Sequence, residues 1–422
     1  MKPFKILLPA ALAALLTPLA LAATFSGSVV DSATRSPIAG AFVTLGANST
    51  RTDQSGAFRI EGNGDELRVR AFGHRRAALP IGTESQPRVI ELQPFTPKAL
   101  YLSSYGIGSL KLRRAALDIV DKSQINTLVI DIKTDSAIVG YKSSVPLAAE
   151  IGAQKIITVR DMPAQLAALR EQGIYTIARI VTFKDNLLAR AHPELAVKNS
   201  SGGVWQDREG LAWADPFKHE VWEYNLALAE EAARMGFDEV QFDYVRFPDT
   251  RGLVFSKPNT EQNRVETITG LLAAARARLA PYNVFVSADI FGYVCWNLND
   301  TEIGQRLEEL AANVDYLSPM LYPSGFQFGI PGYRNPVANS HEIIYRSLER
   351  ARVRSGLSAA RFRPWLQAFR DYAFDRRQFG PEEIQQQISA AEKFGSGGWM
   401  LWNPRNVYSL DAIQTETRTA GN

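Results

Sequence analysis

The chain has 422 residues, with 47 Lys and Arg against 44 Asp and Glu and a formal net charge of +3. A charge so nearly balanced, with no basic run interleaved with aromatics, argues against a nucleic-acid partner. With 45% hydrophobic and 22% charged residues the chain is of globular composition, long enough for one large domain and a small one.

Residues 1–23 read as an export signal. Lys2 and Lys5 form a positive start, Ile6 to Leu21 an apolar stretch broken by Pro9 and Pro18, and Ala20-Leu21-Ala22 a small-x-small cleavage pattern. The prolines and the length of the run argue against a stable span, so the mature chain is expected to be secreted or periplasmic, without membrane insertion.

Residues 24–94 alternate short apolar runs, Phe25 to Val30, Ala41 to Leu45, Ala57 to Ile60, Leu67 to Phe72 and Val89 to Leu92, with turn-forming residues. That rhythm predicts a small all-β sandwich. Three segments, Gly27 to Asp31, Pro37 to Val43 and Thr52 to Phe58, resemble the carboxypeptidase regulatory-like, transthyretin-like module. The resemblance implies an accessory β-sandwich of a kind that is seldom catalytic. Pro94-Phe95-Thr96-Pro97 follows as a short, stiff linker.

From Lys98 to about residue 412 strands alternate with helices. Ala99–Ser103, Thr127–Ile132, Tyr175–Val181, Glu239–Tyr244, Val284–Ile290, Tyr316–Leu321, Pro364–Phe369 and Gly398–Trp402 are the expected strands. Helical patterns lie between them, for instance Leu110–Asp121, Pro216–Met235, Glu261–Leu279, Glu302–Ala312 and His341–Ser355. Eight strands in strict alternation predict a (β/α)8 TIM barrel. A doubly wound sheet is the rival, but Ser104 to Gly108 is only a weak echo of its glycine-rich phosphate turn.

In such a barrel the chemistry collects at the C-terminal ends of the strands. There stand Asp131 and Lys133, Arg179 and Lys184, Asp243 and Arg246, Asp289, Tyr322, Gln367 and Trp402. Strand alternation puts Gln241 and Asp243 on one face and Val240, Phe242 and Tyr244 on the other; Ser287 and Asp289 share a face, as do Val129, Asp131 and Lys133. The polar sets are expected to point into the barrel, bringing three aspartates together. Trp365 and Trp399 suit the barrel core, whereas Trp205, Trp213 and Trp402 suit sugar stacking. Carboxyl pairs with aromatic platforms are what glycosidic cleavage needs, so the expected partner is a polysaccharide or oligosaccharide. The four histidines are scattered without HxH or HExxH spacing and no GxxxxGK[ST] loop occurs, so neither a metal nor a cofactor is expected. Cys295 is the only cysteine, expected to be a packing residue.

The segments Thr127 to Lys133, Ala178 to Asp185, Gly236 to Pro248, Ser318 to Ser324, Arg363 to Gln367 and Trp399 to Pro404 resemble, in order, the bacterial "putative glycoside hydrolase" barrel family, related to the alpha-amylase-type barrels. The resemblance spans about residues 98–410. It implies Asp243 as the strand-4 nucleophile. The strand-5 acid of amylase-like barrels is a glutamate; here the position holds Asp289, which leaves Asp131 or Asp371 as alternatives for proton donation. Gly325-Phe326 stands where a histidine is expected after Tyr322-Pro323-Ser324. Hydrolysis is weighed against a non-catalytic carbohydrate-binding barrel. The Gly- and Pro-rich stretch Pro323 to Pro336 is expected to be a mouth loop.

Overall fold

The computed structural model describes residues 23–81 and 88–413. The expected export signal lies outside them apart from Ala23. Among the described residues no helix is long and apolar enough to cross a membrane.

Seven strands precede the barrel: β1 (Ala23–Asp31), β2 (Phe42–Leu45), β3 (Asn48–Arg51), β4 (Ala57–Gly62), β5 (Glu66–Arg70), β6 (Ala77–Pro80) and β7 (Arg88–Leu92). They form two small sheets, ordered β4-β1-β7 and β3-β2-β5-β6. Alternating apolar residues of both, among them Val29, Val43, Ile60, Val69 and Ile90, meet in one core. β3 and β6 were not foreseen, because their largely exposed sequences carry no apolar alternation.

Eight parallel strands then close into a barrel in chain order: β8 (Lys98–Leu102), β9 (Thr127–Lys133), β10 (Tyr175–Val181), β11 (Glu239–Asp243), β12 (Phe285–Phe291), β13 (Tyr316–Met320), β14 (Trp365–Gln367) and β15 (Trp399–Trp402). β15 pairs back onto β8 through Met400 and Ala99, so the sheet has no edge. Around it run α1 (Ser104–Gly108), α2 (Leu110–Lys122), α3 (Pro146–Glu150), α4 (Met162–Glu171), α5 (Asn186–Ala191), α6 (His219–Met235), α7 (Glu261–Leu279), α8 (Leu307–Asn313), α9 (Ser340–Ser355) and α10 (Pro381–Phe394). The outward strand residues Ile130, Ile180, Phe242 and Ile290 join the core beneath the helices. α8 starts five residues later than its sequence pattern suggests. Thr301 and Glu302 take positive φ, and the Asp300 carboxylate accepts the backbone N–H groups of Glu302 and Gly304, which holds the segment as a turn.

The barrel interior is filled in layers. At the N-terminal end Phe72, from the loop between β5 and β6, and Phe95, from the linker before β8, pack on Phe285, Tyr316 and Tyr175. Above them Glu239 pairs with Arg363 and accepts hydrogen bonds from Ser287 and Tyr175. Next come Gln241, Ser318 and Met400. The C-terminal mouth is what remains open.

The small sheets are fastened to the barrel floor by Arg70, whose guanidinium donates to Asp315 Oδ2 at 3.0 Å with both side chains buried. Removing one partner of a buried ion pair leaves an uncompensated charge. Arg70→Ala is therefore expected to lower stability by about 3–5 kcal/mol. Chemical denaturation of the two proteins measures this, and a loss within about 1 kcal/mol, the range of an exposed pair, would contradict it.

Candidate active site

The site is organised by Arg179, near the end of β10 and 1% exposed. Its Nε and Nη2 donate to Asp243 Oδ2 at 2.9 and 2.5 Å, its Nη1 to Asp131 Oδ1 at 2.7 Å, and its Nη2 also to Asp135 Oδ1 at 2.9 Å. The guanidinium lies 4.7 Å from the Trp402 ring centre and 5.6 Å from that of Tyr101. One cation thus serves three carboxylates and two aromatic faces. Strand parity explains the arrangement: Arg179 stands beside Asp131 in the ladder between β9 and β10, and Gln241 and Asp243 point inward from β11 while Val240 and Phe242 face the helices.

Asp243 also accepts the backbone N–H of Tyr244 on Oδ1, at 2.5 Å. Tyr244 was expected on the outer face with Val240 and Phe242. The strand ends before it, and its φ of 47° swings the phenol into the mouth. A non-glycine residue in the left-handed region costs on the order of 1–3 kcal/mol and persists where the surroundings demand it. Here the ring is held by Trp213, 5.6 Å away between ring centres, and by the Lys184 and Arg246 cations over it.

Asp289 is 1% exposed and lies below the mouth. Its Oδ1 accepts the indole N–H of Trp365 at 2.7 Å, and its Oδ2 is buried without a partner. Burial, reinforced by the negative charge of Asp243 and opposed by Arg179, pushes this carboxyl well above the ordinary range. Asp131 is pushed up to about 6, burial again outweighing the attraction of Arg179, and its Oδ2 accepts the Tyr101 hydroxyl at 2.6 Å. Tyr101 stacks on Trp402 with ring centres 3.8 Å apart, and Trp365 meets Trp402 edge-on at 5.4 Å.

The cleft at the mouth encloses about 230 Å³. Of the residues singled out from sequence, Asp243, Arg179, Arg246, Tyr322 and Trp402 line it. Asp131 and Asp289 sit directly beneath, bonded to Arg179 and Trp365. Arg246 lies over the rings of Trp213 and Tyr244, at 5.1 and 5.2 Å, with no carboxylate in ion-pair distance among the described residues.

Three others are placed elsewhere. Lys133 was expected to share the inward face of Asp131, but the ladder between β9 and β10 slips there: Asp131 pairs with Arg179 and Lys133 with Ile180, leaving Ile132 as an extra residue. The slip turns Lys133 toward the helices, where it donates to Asp185 at 2.7 Å and lies over Tyr224. Lys184 is buried behind the cleft wall, donating to Glu209 and lying 5.1 Å from the Tyr244 ring centre. Gln367 is spent on the loop after β13: its amide donates to Ser324 Oγ at 2.7 Å and its carbonyl accepts the Ser324 N–H. Asp371, the alternative proton donor, accepts Ser324 Oγ and the N–H groups of Ala373, Phe374 and Arg376. These bonds outweigh its burial and hold it down at about 2, so it is an ionised loop clasp.

Sequence reasoning missed Tyr101, Asp135 and Tyr244 and assigned Trp365 to packing alone. Tyr101 was accessible, since it lies inward of Ser103 on the parity of Ala99. Asp135 carries no such signal, because it sits in a turn beyond the strand.

A larger cavity, about 650 Å³, lies between the small sheets and the barrel floor. Its Arg68, Arg75 and Arg76 donate to the barrel's backbone carbonyls at Pro281, Gly173 and Phe237, which makes them ties of the junction, while Arg170 bonds Gly236 within the barrel.

A closed parallel barrel with carboxyl groups and aromatic rings at its C-terminal mouth defines a glycosidase-like barrel. The chain belongs to the family described as "Putative glycosyl hydrolase domain" (DUF4015), whose model matches residues 99–408. A hypothetical protein from Ruminiclostridium thermocellum is 39% identical over 45% of this chain and 96% of its own, with a TM-score of 0.41. The glycoside hydrolase domain of PgaB (BpsB) from Bordetella bronchiseptica is 12% identical over 76% of this chain and 100% of its own, with a TM-score of 0.54. A GH18 chitinase from Pseudoalteromonas aurantia is 11% identical over 75% and 97%, with a TM-score of 0.45. At 12% identity the second likeness is one of fold alone. No curated protein matches the sequence.

Asp289 yields a linkage prediction. A carboxyl raised in the folded state contributes stability that is full below its unfolded value, about 4, and is lost as pH rises through the folded value. Asp289→Asn copies the neutral form and removes that loss. Urea denaturation is expected to show the variant gaining on wild type between pH 5 and pH 8. Parallel curves would mean that the carboxyl is not raised.

Proposed function

We propose that the chain is an exported glycoside hydrolase that cleaves a glycosidic bond in a cell-envelope or extracellular polysaccharide. The observation that carries this reading is the contrast between two carboxyl groups at one strand-end site. Asp243 lines the cleft and accepts two guanidinium N–H bonds and one backbone N–H bond, which suits a carboxylate. Asp289 is enclosed, with a bare Oδ2, and is pushed toward the neutral acid. A hydrogen-bonded carboxylate in the cleft beside an enclosed carboxyl group is a pair suited to divide nucleophile or base from acid.

In this reading Asp243 meets the positive charge that develops at the sugar's anomeric carbon, and Asp289 supplies the proton for the leaving oxygen. Asp289 is too enclosed to touch a sugar directly. Tyr322 lines the cleft, and its phenol lies in the field of both carboxylates. Asp289 Oδ2 has no partner within hydrogen-bond distance, so in this reading one water carries its proton to the Tyr322 oxygen while Tyr322 gives its own to the leaving group. Trp402 lines the cleft as an apolar wall for the sugar ring, and Arg246, which spends one N–H on the Phe247 carbonyl, offers its others to the sugar hydroxyls.

Asp243→Asn is expected to lower turnover of a polysaccharide substrate by at least about 100-fold, read as new reducing ends, with thermal unfolding checking that the fold survives. Undiminished turnover would remove Asp243 from the chemistry. Tyr322→Phe is expected to lower kcat by at least about tenfold and leave KM within about twofold, since the ring stays and only the proton path goes. Binding of oligosaccharide by wild type without cleavage would favour a carbohydrate-binding barrel instead.

A further inference from the structure

Phe328 exposes 76% of its surface, yet it is not a loose ring on a loop. Its backbone N–H donates to the Tyr293 hydroxyl at 2.9 Å, and the same hydroxyl donates to the carbonyl of Gly329 at 3.2 Å. The Gly329 N–H closes a turn onto Phe326 at 2.8 Å. Gly329 takes φ 64°, and a side chain there would meet the Tyr333 carbonyl at 2.2 Å, so the turn is built for glycine.

The rings that lead to Phe328 begin inside the cleft. Phe326, buried, lies 4.9 Å from Tyr293 between ring centres; Phe291 lies 5.8 Å from Tyr293, and Phe328 lies 6.4 Å beyond it. Phe326, Tyr293 and Phe291 line the cleft, and Phe328 is the next ring outward. Gly292 makes the cluster possible, since a Cβ there would stand 2.8 Å from the Phe326 ring. Phe291, itself 36% exposed, Tyr293 and Phe328 thus make one contiguous apolar patch at the cleft rim, the kind of patch that marks a ligand groove.

We infer that Phe291, Tyr293 and Phe328 form an accessory sugar-binding shelf, over which a polysaccharide chain runs out of the cleft. The substrate is then a polymer that continues beyond the unit held at Asp243, not a free mono- or disaccharide. This rests on the reading of the cleft as a sugar site. The shelf suits sugar better than lipid or an apolar peptide, because its rings are interrupted by the Tyr293 hydroxyl and flanked by the Arg334 guanidinium, which reaches the Phe328 carbonyl. A pyranose lays its C–H face on such rings and turns its hydroxyls to the polar groups between them.

The test reads binding rather than turnover. Asp243→Asn protein, with and without Phe328→Ala, is run in native gels containing soluble starch, glycol chitin, carboxymethylcellulose or arabinoxylan. Retardation by at least one polymer is expected, with an apparent Kd about 3- to 10-fold weaker in the Phe328→Ala form and restored by Phe328→Trp. Equal retardation of the paired proteins, or retardation in none of the four gels, overturns the shelf. If wild type is retarded in a Phe328-dependent way but releases no reducing ends, the shelf stands and hydrolysis falls.

Discussion

The buried guanidinium of Arg179 is the interaction on which the mouth of the barrel depends. A cation with 1% exposure cannot stand without partners, and the partners it recruits are the carboxylates of β9, β11 and the turn after β9. Their number exceeds its single charge. That imbalance, with burial, lets Asp131 rise to about 6 and leaves Asp289, one strand further on, to bear the field of Asp243. The same guanidinium lies against the Trp402 face, which fixes the aromatic side of the cleft relative to the acidic side.

The lower layers explain why such a concentration of charge is tolerated. Glu239 and Arg363 neutralise one another deeper in the barrel, and Phe72 and Phe95 fill its floor. Water is excluded from below, so charge interactions at the mouth act through protein rather than solvent. The small sheets thereby serve the site from a distance: Arg70 fastens them to Asp315, their β5–β6 loop supplies Phe72 to the floor, and the chain leaving them supplies Phe95.

The mouth loops divide their work between clasp and platform. Ser324 is held by Gln367 and Asp371, which sets the path of the segment after β13. Further along that segment Phe326 lines the cleft and Phe328 stands outside it. Gln367, which looked like a substrate contact in the sequence, is therefore spent on setting the segment that carries the aromatic ones.

The sequence by itself determined the barrel, because eight apolar strands in alternation with amphipathic helices leave little choice of architecture. It also determined the inward face of Gln241 and Asp243, since a two-residue period holds wherever a strand is regular. Lys133 and Tyr244 mark where that period fails. A bulge in the ladder and one residue at positive φ reverse their directions, and neither depends on the residue type alone. The place of Asp135 against Arg179, the isolation of Asp289 Oδ2 behind Trp365 and the fixed exposure of Phe328 were decided only by tertiary structure. Each is a relation between residues far apart in the chain, set by which strands closure of the barrel makes neighbours.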